Sequence, residues 1–351
     1  MLPISPQCAL PTALAPMQDV TDLPFMTLIG RYGPPDLFFT EYFRVHSQSR
    51  LEKHILRSIT ENPTNVPVFA QMNGESIPDI IRTARELKKH PIAGIDLNMG
   101  CPAPKVFKKN CGGGLLREPA KVDQVLGALR EEIEGLFTVK MRIGFDSSEH
   151  FSTLLELVAK HRVDLLSLHG RTVRGAYHAP VQYPLIAEAS RSLPCPVFAN
   201  GNLTSPGKAF RIQRETGCRG AMIGRHAIRN PWIFRQIREK LKGEPLFQPT
   251  LHDVRAYIDD LYAMSGKQGI PDKPRISKLK KYLNFIGESI DPKGQFLYRM
   301  RRAHEPEKMF AVCDEFLKDC SDPFPLEPYP GIHARPNTEK PKVSELISPE
   351  P

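Results

Sequence analysis

Nothing in the 351-residue chain approaches the roughly 18 to 20 consecutive apolar residues of a membrane span. Short repeats are also missing, which excludes collagen-like and coiled-coil architecture. The cysteines are seven, an odd number (Cys8, Cys101, Cys111, Cys195, Cys218, Cys313, Cys320), spread widely and without a C-x-x-C pair. That spacing excludes a disulfide framework and carries no zinc signature, so no metal is expected. Residues 1–18 lack any charged side chain, yet they make a poor secretory leader. They have no basic n-region, and Pro3, Pro6, Pro11 and Pro16 break the apolar helix a leader needs. The expectation is a soluble, reduced, cytoplasmic protein, a monomer with no membrane partner.

What the chain does contain is ordinary for a folded protein: 40% apolar and 25% charged residues, with 48 basic against 39 acidic side chains, a formal charge of +9. Eight strand-like runs rich in Val, Ile, Leu and Phe recur at 12–17, 36–40, 66–72, 94–99, 138–143, 164–169, 197–200 and 221–224. They lack strict alternation, as parallel strands buried on both faces do. Amphipathic stretches separate them, several opening on a helix-start signal such as Pro78, Pro206 or Asn230-Pro231. Eight strands alternating with helices over about 230 residues predict an α/β fold, a TIM (β/α)8 barrel. The rival, an open doubly wound sheet, usually places a glycine-rich turn after its first strand, and Met17-Gln18-Asp19 is not one.

After Gly243-Glu244-Pro245 the strands stop and helical periodicity takes over, as in Val254, Ile258 and Leu261 or Leu279, Leu283 and Ile286. The expected organisation is a barrel over 1–244 and a small all-helical C-terminal domain over 245–320. Residues 321–351 carry eight prolines in 31 positions, and a mostly disordered tail is expected there.

A barrel of this kind builds its active site where strands end. Those ends hold Pro16-Met17-Gln18, Glu41, Gln71, Asn98 with Cys101, Lys140 with Arg142, His169 with Arg171, Asn200-Gly201-Asn202 and Gly224-Arg225. Any one of them reads more readily as a turn former or helix cap; eight polar ends together are harder to dismiss. The last two suit a phosphate, because glycines admit backbone N–H groups and Arg225 offers bidentate hydrogen bonds. Lys140 should point into the barrel mouth, toward an anionic group such as a reduced flavin ring, or else into an ion pair with Glu41. Cys101, after Gly100 and before Pro102, is placed for exposure to the cleft, although a free cysteine is most often a small buried hydrophobe. A thiol with the ordinary pKa near 8.5 is mostly protonated at neutral pH and can serve as a general acid. Cys111, ahead of Gly112-Gly113-Gly114, is less persuasive, and these glycines read as a flexible turn.

These motifs resemble, in order, those of the tRNA-dihydrouridine synthases. They are Leu14-Ala-Pro-Met17, Phe69-Ala-Gln-Met72, Asp96 to Val106 around Cys101, Val139-Lys-Met-Arg-Ile-Gly144, His169-Gly-Arg-Thr172, Asn200-Gly-Asn202 and Ile223-Gly-Arg225. The likeness runs from about Leu14 to about Leu317, and the Lys278–Phe285 segment looks closest to the bacterial C-type (DusC-like) subgroup. Gln18 and the Cys111-Gly-Gly-Gly114 loop depart modestly from the family pattern.

The resemblance implies FMN at the barrel mouth, its phosphate on Asn200, Gly201, Asn202, Gly224 and Arg225. Pro16, Met17, Gln18 and Gln71 would hold the ring, and Lys140 and His169 the ring or ribityl chain. It further implies NADPH (or NADH) as reductant, hydride transfer from N5 to C6 of a uracil, and Cys101 as the catalytic acid protonating C5. Asn98 and Arg171 would bind the base. The substrate implied is tRNA, at about position 16 of the D-loop on the subgroup's likeness, and a loop uridine is cheap to unstack. Residues 273–302, with nine basic and two acidic side chains interleaved with Tyr282, Phe285, Phe296 and Tyr298, suit phosphate contacts, as do Lys105, Lys108 and Lys109. Two rivals stay open: a flavin barrel acting on a free pyrimidine, as a dihydroorotate dehydrogenase does, and a non-catalytic RNA-binding barrel.

Overall fold

Eight short runs of β-branched and aromatic residues form the wall of a closed parallel barrel. They are β1 (Thr12–Leu14), β2 (Leu37–Phe39), β3 (Val68–Asn73), β4 (Gly94–Met99), β5 (Phe137–Arg142), β6 (Leu165–His169), β7 (Val197–Asn200) and β8 (Gly220–Ile223). Each pairs in parallel with the next, and β8 pairs with β1 to close the ring. This is the TIM barrel expected. The computed structural model describes residues 1–266 and 271–333.

Two details of the wall differ from expectation. The first strand stops at Leu14 rather than Met17, where Pro16 has no N–H to offer a ladder. A two-residue strand, Phe43–Arg44, adds to the far end of β3. Helices return the chain between strands, among them Leu23–Tyr32, capped by Asp22 (Oδ1 accepts from Phe25 N, 3.1 Å), and Pro206–Thr216, capped by Ser205 (Oγ accepts from Lys208 N, 3.2 Å). Among the described residues no helix is long and apolar enough to cross a membrane.

The chain divides into two compact units: Met1–Ala227 with Pro231–Phe247, and Ile228–Asn230 with Gln248 onward. The second contains the helices Leu251–Met264, Asp272–Ile286, Gln295–Arg302 and Pro306–Leu317. Thr250 and Asp253 form a capping box at its start. The stretch 228–230 belongs to this unit because Arg229, fully buried, donates to Ser289 Oγ (2.8 Å) and to the carbonyls of Pro325 (3.1 Å) and Leu326 (2.5 Å). Tyr257 Oη likewise donates to the Ile228 carbonyl.

The same contacts correct the disordered tail expected from 321. Residues 321–333 are tied down at separate points along a largely exposed path: Phe324 is fully buried, its N–H bonds the Pro249 carbonyl, and Tyr329 N bonds the Glu288 carbonyl. Buried carbonyl groups need donors, and Arg229 supplies them from inside the helical unit. Residues 334–351 lie outside those described.

Candidate active site

Side chains alternate along each strand, and one face points into the barrel. In the lower half that face is apolar: Ala13, Leu37, Phe39, Phe69, Leu165, Phe198 and Met222 form a buried cluster, with Leu2 and Ile4 packed against it. Further along the same faces it turns polar. Strand register aligns Gln71, Asp96 and Thr138 in one tier, Asn98, Lys140 and Ser167 in the next, and Arg142, His169 and Asn200 above them.

Hydrogen bonds knit the tiers together. Asp96, wholly buried, accepts from Thr138 Oγ1 (2.5 Å) and from Gln71 Nε2 (2.7 Å). Gln71 Oε1 accepts from Asn98 Nδ2 (2.8 Å), and Asn98 Oδ1 accepts from the N–H groups of Gly100 (3.1 Å) and Cys101 (2.7 Å). Asn98 is thus buried behind the cysteine loop, which it holds by its backbone. Burial pushes the Asp96 carboxyl up to about 6, opposed by its hydrogen bonds with Thr138 and Gln71 and by the charge of Lys140.

Cys101 itself is half-buried. Its carbonyl accepts from Gly113 N (3.2 Å). The glycines expected as a flexible turn instead open a buried 3-10 helix, Gly112–Arg117, packed on this loop. They are needed for close approach: a Cβ on Gly114 would lie 2.6 Å from the Phe107 carbonyl oxygen, and one on Gly113 would lie 3.0 Å from that of Cys101. Gly114→Ala is therefore expected to destabilise the fold by about 1 to 3 kcal/mol. Urea denaturation checks this, and an unchanged midpoint would contradict the packing.

Three residues near the thiol carry more than sequence reasoning assigned them. Tyr42, buried after β2, has its phenol pushed up to about 12, first by burial and then by the Cys101 sulfur beside it. Arg142, also buried, donates to the carbonyls of Gly100 (2.8 Å), Thr172 (2.9 Å) and Ala176 (3.0 Å), tying the cysteine loop to the loop after β6. Asp96 sits two residues before Asn98 on the same strand face, and that period of two is the signal that could have found it.

Lys140 is lowered to about 8, by burial first and by Arg142 next, against the opposing charge of Asp96. It remains mostly cationic at neutral pH. His169, buried, is held well below the usual imidazole range by burial and by Arg142, Lys140, Arg171 and Arg225, so it is neutral. A lysine depressed on folding is a liability below its folded pKa. There both states are charged, and above it the unfolded chain binds the extra proton. Stability measured without added anions is expected to gain on the order of 1 to 3 kcal/mol from Lys140 between pH 8 and 10. Lys140→Met should remove that gain, and an identical pH profile in the variant would refute it.

At the ends of β7 and β8, Asn200 braces the seam, its Nδ2 donating to the Met222 carbonyl (2.7 Å). Gly201 (φ 119°) and Asn202 (φ 47°) adopt positive φ, which turns the chain back over the barrel mouth. Arg171 is buried, its Nε donating to the Ala179 carbonyl and its Nη1 to Asn202 Oδ1 (3.4 Å). Arg225 is half-buried, its guanidinium carbon 4.3 Å from the ring centre of Tyr177. Gly224 leaves room beside Met17 Sδ, since a Cβ there would meet it at an ordinary 3.5 Å.

In the loop after β1, the N–H groups of Val20 and Thr21 bond the Met17 carbonyl, and Gln18 Nε2 donates to Glu41 Oε2 (3.2 Å). Pro16, Met17 and Gln18 are half-buried. Gln18 Oε1, Ser167 Oγ and His169 Nδ1 are buried polar atoms without a partner among the described residues. Such atoms invite a polar ligand. A cationic rim, positive-φ turns and unpaired donors and acceptors below fit a planar polar ring with a phosphate tail.

In the helical unit the basic segment 273–302 is narrower than its charge count. Tyr282 and Phe296 are core residues, and Arg299 pairs with Glu315. Lys273, Lys281, Lys293 and Arg302 are exposed, with Arg302 stacked 3.5 Å from the ring centre of exposed Tyr298. In the barrel unit, Lys105, Lys108 and Lys109 are exposed in the segment that follows Cys101.

A sequence profile for the family described as Dihydrouridine synthase (Dus) matches residues 13–320. A Pseudomonas putida protein named tRNA-dihydrouridine synthase B is 35% identical over 259 residues, covering 73% of this chain and 77% of that one. One of the same name from Xanthomonas axonopodis pv. citri is 31% identical over 307 residues, 87% of this chain and 92% of that one. A Neisseria meningitidis tRNA-dihydrouridine(16) synthase is 28% identical over 311 residues, 86% of this chain and 93% of that one. None of these names supports the C-type subgroup in particular. Among solved structures, histamine dehydrogenase from Rhizobium sp. 4-9 superposes with TM-score 0.51 at 15% identity, over 71% of this chain and 48% of that one. That likeness speaks for the barrel alone.

Proposed function

The chain belongs to the dihydrouridine synthase family of flavin oxidoreductases, and from that premise we propose that it reduces the C5=C6 bond of a uridine in the tRNA D-loop, about position 16, with FMN, NADPH and Cys101 as proton donor. The observation carrying this reading is the hydrogen-bond chain that joins Gln71, at the expected ring edge, through Asn98 to the backbone of Cys101.

The bound flavin supplies the hydride that adds at uracil C6. The protein does the rest. Cys101 delivers the proton to C5 from the opposite face of the base. Lys140, cationic at neutral pH, would hold the flavin ring by its charge, and neutral His169 would offer it Nδ1 as a hydrogen-bonding site. Arg225, Asn200, Gly201, Asn202 and Gly224 take the phosphate, and Pro16, Met17 and Gln18 line the ring. Asn98 and Arg171 bind the base, Asn98 while it also holds the Cys101 loop and Arg171 while bonded to Asn202. Position 16 is supported by the Neisseria relative's printed name, whereas the more similar relatives carry the B-type name. Free, reduced cysteines throughout suit a reducing compartment, and the reading is of a cytoplasmic, monomeric enzyme.

The test is to supply the FMN-loaded protein with NADPH, or NADH, and unmodified tRNA, then map the nucleosides that gain two hydrogens. Reduction in the D-loop of tRNA with none on free uridine is expected; activity on the free pyrimidine alone would transfer the reading to its rival. The exposed Lys105, Lys108, Lys109, Lys273, Lys281, Lys293 and Arg302 also make tRNA affinity salt-dependent. A loss of about a thousandfold between roughly 50 and 200 mM salt is expected, and a flat response would remove these side chains as phosphate contacts.

A further inference from the structure

Asp96 lies below the reacting groups. It is wholly buried, Thr138 donates to one oxygen and Gln71 to the other, and from Gln71 the hydrogen bonds run through Asn98 to the amides of Gly100 and Cys101. The two side-chain amides in this chain can each be turned over, exchanging donor and acceptor ends. An ionised carboxylate only accepts. Direction therefore has to start at Asp96. Its oxygen calls for the Gln71 NH2, which leaves the Gln71 carbonyl for the Asn98 NH2, which leaves the Asn98 carbonyl for the loop. Reversed, the chain would press an Asn98 NH2 against two backbone N–H groups, donors facing donors at burial depth.

We propose that Asp96 is a positioning residue that sets the direction of the Gln71–Asn98 hydrogen-bond chain and so holds the loop that presents the Cys101 thiol. The catalytic meaning of this role rests on the reaction proposed above, but the hold on the loop does not. The neighbouring Lys140 charge and the bonds from Thr138 and Gln71 favour the ionised carboxylate, and burial opposes it. Ionisation still dominates at neutral pH.

Amide hydrogen exchange at Gly100 and Cys101, read in the flavin-loaded full-length protein, tests the proposal. In Asp96→Asn the chain is free to run either way, and exchange at these two amides is expected to rise about tenfold or more. The double variant Asp96→Asn with Asn98→Asp moves the acceptor-only group to the other end. Both links through Gln71 are then reversed, yet every group is satisfied. Thr138 donates to the new amide oxygen at position 96, whose NH2 donates to Gln71. The Gln71 NH2 donates in turn to the new carboxylate at position 98, which also accepts from both loop amides. Protection is expected to return to within about threefold of wild type.

A single variant with wild-type exchange, or a double variant as unprotected as the single, overturns the proposal. If Asp96→Asn does not accumulate as a folded flavoprotein, recovery of the fold by the double variant supports it, and failure of both refutes it. Loss of kcat in Asp96→Asn with the KM for tRNA unchanged is the matching kinetic signature. Failure of the wild-type protein to reduce tRNA would defeat the proposed reaction while leaving this exchange pattern intact.

Discussion

Cys101→Ala is expected to keep its bound flavin and to lose about 10²- to 10⁴-fold in uridine reduction, the range a positioned general acid contributes. The thiol is half-buried in a loop fixed by Asn98 at one amide, by Gly113 at its carbonyl and by Arg142 through Gly100. None of these backbone bonds involves the sulfur, so alanine keeps the loop and removes the acid together with its contact to the Tyr42 phenol. Flavin absorbance and melting temperature should match wild type, and reduction of the flavin by NADPH should proceed at the normal rate. Single-turnover transfer to tRNA is the step that slows. Undiminished transfer would take the proton-donor role away from Cys101.

Arg225→Ala is expected to weaken flavin binding by about 10- to 100-fold, the loss of about one charge-assisted hydrogen bond. The side chain is half-buried, rests on the Tyr177 ring and adds to the positive field that depresses His169. Its removal leaves Asn200 still bonded to the Met222 carbonyl, so the strand ends keep their geometry. Flavin content after gel filtration and a titration of the stripped protein both read the effect. Equal retention in the variant would place the phosphate elsewhere.

Much of the barrel is readable from the chain because its strands are apolar runs separated by helix-start signals. Gln71, Asn98, Lys140 and His169 are legible as strand-end residues, since a polar group in an otherwise buried strand stands out. Asp96 stands out by the same rule, but its role does not, because its partners Thr138 and Gln71 are 42 and 25 residues away and meet it only through strand register. The packed glycines at 112–114 escape for a similar reason. Glycine marks flexibility or close approach equally well until the Phe107 carbonyl is known to sit against it. Proline density likewise suggests disorder from 321, but composition does not reveal that Arg229 waits nearly a hundred residues upstream with donors for the carbonyls of Pro325 and Leu326.

The apolar floor laid by Phe39, Phe69, Leu165 and Phe198 has a kinetic corollary. A cylinder plugged at its base has a single entrance. On the reaction proposed above, nicotinamide and nucleobase would share that entrance to one prosthetic group. Double-displacement behaviour, with parallel lines in reciprocal plots, is then the expected result for that reaction, and intersecting lines would count against a shared entrance.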